Sequence, residues 1–321
     1  MCPESPSSSI DLTVITVSYN TQKLLADCLE SVLAGMERSH LVGRIWVVDN
    51  ASTDGSAEMV HSDFPDVNLV AHDQNLGFAG GNNLALQKIA TDGRPSSRYN
   101  LFLNPDTLVR GDALGEMVRF LDATPKAGAA GARLVHLDGS FQHSAFAFPG
   151  LAQIFFDFFP VQHRLLESRF NGRYPRRWYE AGQPFAVDHP LGAALMVRTE
   201  VLDPVGSFDE QFFMYCEEID LCRRIRSAGW DIYCLPQAEI VHLVGQSTRQ
   251  FRDRMFVALW RSRFLMFEKH ETATFRWAAR RLVALGLRWE TRRARASCRR
   301  GEISAEDLDG RLAAYREVAA L

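Results

Sequence analysis

Leu12-Thr-Val-Ile-Thr-Val17, an unbroken run of apolar and β-branched residues, decides the fold class of this chain. Such a run is typical of a buried strand. A helical pattern follows over Lys23 to Leu33, and a second strand is predicted at Arg44-Ile-Trp-Val-Val48. Two strands joined by a helix at this short spacing predict a βαβ unit with parallel strands.

The same alternation of strands and helices continues along the chain. Further strands are predicted over Val67 to Ala71, Tyr99 to Leu103, Gly128 to Val135 and Ala193 to Val197. Further helices are predicted over Ser56 to His61, Gly81 to Ile89, Ala113 to Leu121 and Glu217 to Ala228. We therefore expect an α/β fold with a parallel sheet and crossover helices, and open sheets of this kind bind ligands at the carboxyl ends of their strands.

The bulk properties narrow the class of protein. The chain has 321 residues, of which 46% are apolar, so it can bury a large core. Its net charge of -3 argues against a general nucleic-acid-binding protein. Six cysteines without a CxxC pair favour neither a zinc ribbon nor a disulfide scaffold, and they are typical of the reducing cytoplasm. Residues 1–10 are polar and are expected to form a disordered tail rather than an export signal.

Two later segments depart from the α/β pattern. Residues 141–185 are rich in aromatic residues, proline and arginine without clear periodicity, and a loop of that length is usually functional or disordered. From Thr272 to Arg300, arginines alternate with apolar residues as in a basic amphipathic helix. Such a helix either lies on an anionic membrane surface or packs on the domain with a solvated basic face, and the sequence favours neither reading. Nucleic-acid binding through these arginines is a third reading, which would show a steep salt dependence.

Polar residues follow three predicted strands. Val17-Ser18-Tyr19-Asn20 closes the first strand, and Asp49 stands at the end of the second. Asp49 is placed to accept hydrogen bonds from a pyrimidine N–H or a ribose hydroxyl, whereas Asp54 is expected mainly to cap the next helix. The glycine-rich stretch 75–83 follows the third strand and suits either phosphate binding or a simple tight turn. Because none of these segments is a GxGxxG fingerprint, a dinucleotide cofactor is disfavoured.

Two further groups of residues indicate metal and acid–base chemistry. Asp106, in Asn104-Pro-Asp106, is a candidate ligand for a divalent ion that also binds a nucleotide diphosphate, since phosphates and water complete the shell of such an ion. His242 could add a nitrogen ligand, which suits Mn²⁺ more than Mg²⁺. Three carboxylates crowd one predicted helical turn, at Glu217, Glu218 and Asp220. Such crowding raises proton affinity and suits a general base, although the same residues could simply offset the helix dipole. Asp220 and Arg224, four residues apart on this helix, are expected to form a structural pair.

Five stretches in this order resemble the inverting GT-A glycosyltransferases of family two, especially bacterial rhamnosyltransferase-like members. They are VSYN at 17–20, VVDNASTDGS at 47–56, NLGFAGGNN at 75–83, LNPDT at 103–107 and GSFDEQFFMYCEEIDLCRR at 206–224. The resemblance implies a GT-A fold, whose Rossmann-like sheet is mixed but mostly parallel and flanked by helices. It divides the chain into a glycosyltransferase domain over 11–270, with a nucleotide-binding half (11–110) and an acceptor-binding half (111–270), and a basic amphipathic helical extension over 271–321.

The resemblance also implies the roles of individual residues. Glu218 becomes the general base, with Glu217 and Asp220 beside it, and Asp106 and His242 become ligands of Mn²⁺ or Mg²⁺. The donor-binding residues are then Ser18, Tyr19, Asn20, Asp49, Asn75, Gly77, Asn82, Asn104 and Asp106. Two departures from the family pattern stand out: Asn104 replaces the first aspartate of the Asp-x-Asp metal motif, and Glu218 stands where many members have aspartate.

The expected reaction is sugar transfer from a nucleoside diphosphate donor, with inversion, to a glycan or polyprenyl-diphosphate-linked acceptor of a cell-surface polysaccharide. The resemblance favours dTDP-L-rhamnose, while UDP-linked galactose, galactofuranose or N-acetylglucosamine stay open. A non-catalytic nucleotide-sugar-binding scaffold is the alternative from another class. The protein is expected in the cytoplasm, peripheral to the inner face of the cytoplasmic membrane.

Overall fold

The computed structural model describes residues 10–243 and 252–321. The predicted disordered tail, residues 1–10, lies outside this part of the chain except for Ile10, which begins the first strand.

Eleven strands and twelve α-helices make up the described residues. The strands are β1 (Ile10–Ser18), β2 (Gly43–Asn50), β3 (Asn68–His72), β4 (Ser97–Leu103), β5 (Thr107–Val109), β6 (Ala127–Val135), β7 (Ala145–Phe146), β8 (Phe185–Ala186), β9 (His189–Pro190), β10 (Ala194–Arg198) and β11 (Asp231–His242). The helices are α1 (Gln22–Arg38), α2 (Ser56–Asp63), α3 (Gly77–Thr91), α4 (Ala113–Ala123), α5 (Leu151–Phe158), α6 (His163–Leu166), α7 (Arg176–Glu180), α8 (Thr199–Val205), α9 (Glu217–Ser227), α10 (Arg252–His270), α11 (Ala273–Arg299) and α12 (Ala305–Ala320).

A mixed sheet forms the centre of the molecule, with the strand order β3-β2-β1-β4-β10-β6-β11-β5 and with β8 paired to β11. The long pairings β1–β2, β1–β4, β2–β3 and β6–β11 are parallel. The pairings of β10 with β4 and β6, and those of β11 with β5 and β8, are antiparallel. The predicted α/β fold with a mostly parallel mixed sheet is therefore confirmed.

Alternation along β1 builds a core on each face of the sheet. Leu12 and Val14 pack on one side in a cluster that includes Leu25 and Leu29 of α1. Ile15 lies on the other side, with Phe102 of β4. Because helices cover both faces, the central strands β1, β2, β4, β6 and β10 are mostly buried, which is why they appear in the sequence as apolar runs. The edge strand β3 is only partly buried.

The aromatic segment 141–185 is not the long irregular loop that its composition predicts, because it contains α5, α6 and α7. In α5, Ile154 and Phe158 are buried four residues apart, as on one helical face. Phe155 on another face is 41% exposed. Aromatic residues on both faces hide the helical period, so no contrast between an apolar and a polar face predicts this helix.

The C-terminal helices form a third hydrophobic cluster with α5. Trp260 of α10, Val283 and Leu287 of α11, and Val318 of α12 are buried in it together with Phe158. The helix predicted over 272–300 is confirmed as α11. Its N-cap is Thr272, whose hydroxyl accepts a hydrogen bond from the Phe275 N–H. The predicted division at residue 270 falls between α10 and α11, and it stays a prediction. Among the described helices, none is long and apolar enough to span a bilayer.

Candidate active site at the strand ends

Three contacts bring the predicted motifs to one edge of the sheet. The Asn50 side-chain amide after β2 donates to the Gly77 carbonyl at 2.9 Å. The Phe78 N–H donates to the Phe213 carbonyl at 3.0 Å, which ties the glycine-rich turn to the segment before α9. The Asn104 N–H donates to the Ala193 carbonyl at 3.0 Å. The residue before Ala193 is Gly192, which lies against Glu218. Segments far apart in sequence therefore converge where parallel strands end.

Asp49 offers a buried acceptor at this edge. One carboxylate oxygen accepts the Ser52 N–H at 2.9 Å, while the other is buried without a hydrogen-bond partner within the described residues. A buried carboxylate oxygen without a partner is costly unless a ligand supplies a donor. This geometry fits the predicted contact of Asp49 with a nucleotide N–H or hydroxyl.

Residues 18–20 and 52–54 brace each other across the ends of β1 and β2. Asn20, at a φ of 52°, accepts the Thr53 N–H with its side chain at 2.8 Å, and its own N–H donates to the Ser52 hydroxyl at 2.9 Å. The Ser18 hydroxyl is fully buried against Thr21 at 2.8 Å, whereas Tyr19 is 42% exposed. Tyr19 is thus the side chain of this group that is open to a ligand.

Asp54 acts on two helix starts and not as a simple cap. It accepts the N–H groups of Ser56 at 3.1 Å and of Gln22 at 2.9 Å, so it fixes the starts of α2 and α1 together. The N-cap position of α2 is held by Gly55, with a φ of 86°.

The glycine-rich turn makes its closest contact at Gly77, whose φ is 72°. A Cβ built there would lie 2.1 Å from the Phe213 carbonyl oxygen, so only glycine fits. Asn75 supports the turn by accepting the Gly77 N–H at 2.9 Å. Asn82 is buried within α3 and donates to the Phe78 carbonyl at 2.9 Å, which indicates a structural role for this predicted donor-binding residue.

Asn83 was not among the predicted residues, yet it ties α3 to the segment before α9. Its amide donates to the Phe208 carbonyl at 2.8 Å and to Glu210 at 2.9 Å, and its oxygen accepts the Phe208 N–H at 3.1 Å. The pair Asn82-Asn83 was the available signal, but both side chains are buried, and which of them faces the segment before α9 depends on the phase of the helix.

Asp106 and His242 face each other at the start of β5 and the end of β11. The His242 Nε2 lies 3.6 Å from an Asp106 carboxylate oxygen, and both residues are 7% exposed. The Leu243 N–H donates to the Asp106 carbonyl at 2.9 Å, which fixes the two strand ends together. Burial raises the pKa of Asp106 and lowers the pKa of His242.

This pair fits a divalent metal ion. Two ligands about 2.1 Å from one ion lie about 3 to 4.2 Å apart, depending on the angle between them, and 3.6 Å falls in this range. In the described part of the chain, no group of three or more His, Cys, Asp or Glu side chains is arranged to hold a metal ion by itself. Nucleotide-bound ions need only one or two protein carboxylates, because phosphate oxygens and water complete the shell.

Gln142 lies beside the second ring nitrogen of His242, and no motif predicted this contact. Its side-chain amide lies 3.0 Å from His242 Nδ1. A histidine that binds a metal through Nε2 is protonated at Nδ1, so the Gln142 amide would orient the metal-bound ring with its oxygen facing Nδ1. Asn104 is fixed differently, through its backbone, since its carbonyl accepts the Thr107 hydroxyl at 2.7 Å.

Glu218 is half-buried at the start of α9 and lies against Gly192, where a built Cβ would come within 3.3 Å of its Cγ. Burial raises the pKa of Glu218 to about 7. Glu217 is 6% exposed, and one of its oxygens has no partner within the described residues. Burial, and then the charge of Glu218, raise the pKa of Glu217 well above its usual value. A glutamate that titrates near neutrality is suited to general base chemistry.

Two strained residues set the direction of these carboxylates. Tyr215 and Cys216 have φ values of 70° and 67°, a left-handed conformation that costs about 1–3 kcal/mol per non-glycine residue. Two such residues in a row turn the chain sharply into α9, and such strain clusters at functional sites.

Asp220 differs from Glu217 and Glu218 in its surroundings, because three basic side chains contact it. It is fully buried and lies 2.8 Å from Arg224, 2.6 Å from Lys269 and 2.8 Å from His270. Although burial opposes it, hydrogen bonds from these three side chains lower its pKa. The predicted ion pair with Arg224 is confirmed, and these contacts favour a positioning role for Asp220 over the catalytic role predicted from the sequence.

Comparison with known proteins places this geometry in context. Residues 13–185, more than half of the chain, match the family described as Glycosyl transferase family 2. An N-acetylglucosaminyl-diphospho-decaprenol L-rhamnosyltransferase of Mycobacterium tuberculosis is 28% identical over 288 residues, covering 85% of this chain and 91% of the relative. Rhamnosyltransferase WbbL of Escherichia coli is 27% identical over 214 residues, covering 64% of this chain and 72% of the relative.

Solved structures share the fold. The mannosyltransferase PcManGT of Pyrobaculum calidifontis, in complex with GDP-Man and Mn²⁺, aligns with a TM-score of 0.56 and 19% identity, over 98% of this chain and 82% of that chain. GalNAc-T7 with UDP, GalNAc and Mn²⁺ aligns with a TM-score of 0.55 and 13% identity, over 74% of this chain and 44% of that chain. These two structures support the GT-A fold expected from the sequence.

Proposed function

The chain belongs to glycosyl transferase family 2, and on that premise we propose that this glycosyltransferase moves L-rhamnose from dTDP-L-rhamnose to a polyprenyl-diphosphate-linked glycan. The printed names of its Mycobacterium tuberculosis and Escherichia coli relatives support rhamnose as the sugar. The product enters a cell-surface polysaccharide, and the reaction takes place on the cytoplasmic side of the membrane.

The observation that carries the proposal is Glu218, a glutamate with a pKa of about 7 at the edge where the donor and metal residues meet. In an inverting displacement, the base removes the proton of the acceptor hydroxyl as its oxygen attacks the anomeric carbon. With a pKa raised to about 7, Glu218 has a deprotonated form near neutral pH that can accept that proton. Neighbouring Glu217 is buried and its own pKa is raised well above the usual value, so we assign it to holding an acceptor hydroxyl and not to repelling charge on Glu218.

The donor occupies the strand ends between Asp49 and Asp106. Asp49 binds the base or ribose through its unpartnered oxygen, and Tyr19 covers the nucleoside. Ser18, Asn20, Asn75, Gly77, Asn82 and Asn104 shape the surrounding turns. Asp106 and His242 would hold Mn²⁺ or Mg²⁺, and the bound ion would supply positive charge against the departing nucleoside diphosphate.

A donor panel tests this function. The purified chain is titrated with dTDP-L-rhamnose, UDP-galactose, UDP-galactofuranose and UDP-N-acetylglucosamine by calorimetry, with Mn²⁺, with Mg²⁺ and with chelator. We expect metal-dependent binding that is tightest for dTDP-L-rhamnose. Tighter binding of a UDP-sugar would keep the mechanism and discard the rhamnosyl assignment.

If the chain is a non-catalytic scaffold, we expect a different result with the same samples. A non-catalytic binding protein would bind donor tightly but leave it unchanged on prolonged incubation with metal and acceptor. The raised pKa of Glu218 favours the enzyme, because binding alone does not require a carboxylate that titrates near neutrality.

A further inference from the structure

We propose that α11 and α5 together form a docking face for an anionic lipid bilayer, an inference that rests on the proposed lipid-linked acceptor for its purpose. The docking face consists of the exposed arginines and apolar residues on the outer side of α11, two exposed apolar residues of α5, and the half-buried Phe159 that follows α5. Its members are Trp277, Arg281, Leu285, Arg288, Trp289, Arg292, Arg295 and Arg299 on α11, Leu151 and Phe155 on α5, and Phe159.

The inner side of α11 is already used in packing, so its outer side needs a separate explanation. Ala279, Val283, Gly286 and Leu287 are buried against the third hydrophobic cluster and α5. On the outer side, Trp277 is 62% exposed, Leu285 is 54% exposed and Trp289 is 38% exposed. Large apolar side chains exposed in a row on one helix face mark a binding surface.

The arginines between them lack acidic partners. Within residues 10–243 and 252–321, the side chains of Arg288, Arg292, Arg295 and Arg299 form no ion pair or hydrogen bond. The single acidic residue of α11, Glu290, lies about 200° around the helix from Arg288 and pairs with Arg293 at 2.6 Å. The docking face therefore carries positive charge that nothing in the described chain neutralises.

Helix α5 extends the apolar part of the docking face. Phe159 lies 6.2 Å from Trp289 and stacks on Phe155 at 4.8 Å, measured between ring centroids. This continuity depends on Gly286, because a Cβ built there would lie 2.2 Å from the Phe158 ring and would push α5 away from α11. The acidic residue of α5, Asp157, pairs with Arg263 of α10 and so is neutralised.

An anionic bilayer is the partner that fits both properties. Tryptophan and phenylalanine insert at the boundary of headgroups and acyl chains, while arginine binds the phosphates. An acidic protein or a nucleic acid would match the charge but would leave the line from Trp277 to Phe155 exposed to water. A second copy of the chain would set the arginines of one protomer against those of the other.

Vesicle sedimentation with the full chain tests the docking face without donor or acceptor. The vesicles are phosphatidylcholine alone and phosphatidylcholine mixed with phosphatidylglycerol. We expect binding to the mixed vesicles that weakens with salt. Each arginine near an anionic surface contributes about 1 kcal/mol, so R292Q/R295Q is expected to bind roughly tenfold to thirtyfold more weakly.

Matched variants separate the docking face from general effects. K88Q/K126Q removes two exposed positive charges from another part of the chain, and its vesicle binding should equal that of the wild type. W277A/L285A should bind severalfold more weakly, whereas L137A/V42A, at side chains 63% and 53% exposed, should not. Donor binding in solution should be unchanged in all four variants, which distinguishes failure of the docking face from failure of the proposed function.

Three results would overturn the proposal. They are absence of wild-type binding to the mixed vesicles, equal binding to both kinds of vesicle with no effect of salt, and binding that both α11 variants retain in full. Sedimentation velocity of the wild type is measured in parallel, because a dimer that R292Q/R295Q or W277A/L285A disrupts would assign the same face to self-association.

Discussion

At the scale of single residues, the two adjacent glutamates show what the sequence could and could not reveal. The motif identified Glu217 and Glu218 as an acidic pair. Only the structure shows that Glu217 is buried whereas Glu218 is half-buried. That difference arises from the left-handed Tyr215 and Cys216, which no periodicity predicts because tertiary contacts hold the strain. The contacts that favour a positioning role for Asp220 were not predictable for a related reason, since its partners Lys269 and His270 lie on a helix distant in sequence.

The pH dependence of transfer follows from Glu218. The base acts in its deprotonated form, and burial raises its pKa to about 7. We therefore expect kcat/KM to rise with pH, with a midpoint near 7, and then to level off. The measurement is a pH–rate profile with saturating metal. A midpoint near the ordinary glutamate value of about 4.3 would contradict the assignment of Glu218 as the base.

Deprotonation of Glu217 should lower the free energy of unfolding at neutral pH. Its pKa is raised well above the usual value, so the folded state binds a proton that the unfolded state releases as pH rises above about 4.3. Stability is therefore lost with rising pH in this window, and E217Q should raise Tm at neutral pH by roughly 2–4 °C. The two melting curves should converge in acid.

The control for this variant is E58Q, at an exposed glutamate of α2. Thermal melts of E58Q and the wild type should coincide at each pH. A neutral-pH Tm of E217Q at or below that of the wild type would show that the Glu217 charge is compensated in the folded protein.

At the scale of elements, helix α9 and the turn before α3 determine how the site is assembled. Asp220 anchors α9 to α10 through Lys269 and His270, and Arg224 also donates to the Val205 carbonyl at 2.7 Å. The sequence predicted both the helix and its internal pair, because both are local. It did not predict the anchor to α10, which joins residues about fifty positions apart.

Replacing Asp220 should loosen α9. D220N removes the carboxylate that Arg224, Lys269 and His270 share, and breaking a buried charge network costs about 3–5 kcal/mol. E180Q is the matched control, because Arg176 and Glu180 have the same i,i+4 spacing at exposures of 65% and 57%. An exposed pair contributes about 0.5 kcal/mol or less. Chemical denaturation measures both, and equal losses would refute the anchoring role of Asp220.

The contact between the glycine-rich turn and Phe213 can be separated from backbone strain. Gly77 and Gly93 have φ values of 72° and 73°, but a Cβ at Gly93 has nothing within 4 Å. G93A should cost about 1–2 kcal/mol from its left-handed backbone alone. G77A adds the clash with the Phe213 carbonyl and should cost about 3 kcal/mol or more, with weaker donor binding. Equal destabilisation in urea would show that the contact is dispensable.

At the scale of the whole molecule, the sequence predicted the part of the fold that has long apolar strands. The parallel strands β1, β2, β3 and β4 were each evident as apolar runs, because helices cover both faces of the sheet. The antiparallel β5 and β8 are three and two residues long, too short to carry a pattern. The third hydrophobic cluster also escaped prediction, since α5 and α11 each bury only one face of a helix with mixed composition.

Transfer itself is the most direct test of the central claim. The full chain is incubated with dTDP-L-rhamnose, Mn²⁺ and N-acetylglucosaminyl-diphospho-polyprenol, beside the variant E218Q, and the lipid product is followed by mass spectrometry and NMR. If Glu218 is the base of an inverting transfer, we expect a rhamnosylated lipid whose anomeric configuration is opposite to that of the donor. We expect no product from E218Q, and equal donor binding by both proteins. Full turnover by E218Q, or no product from a wild-type chain that binds the donor, would contradict it.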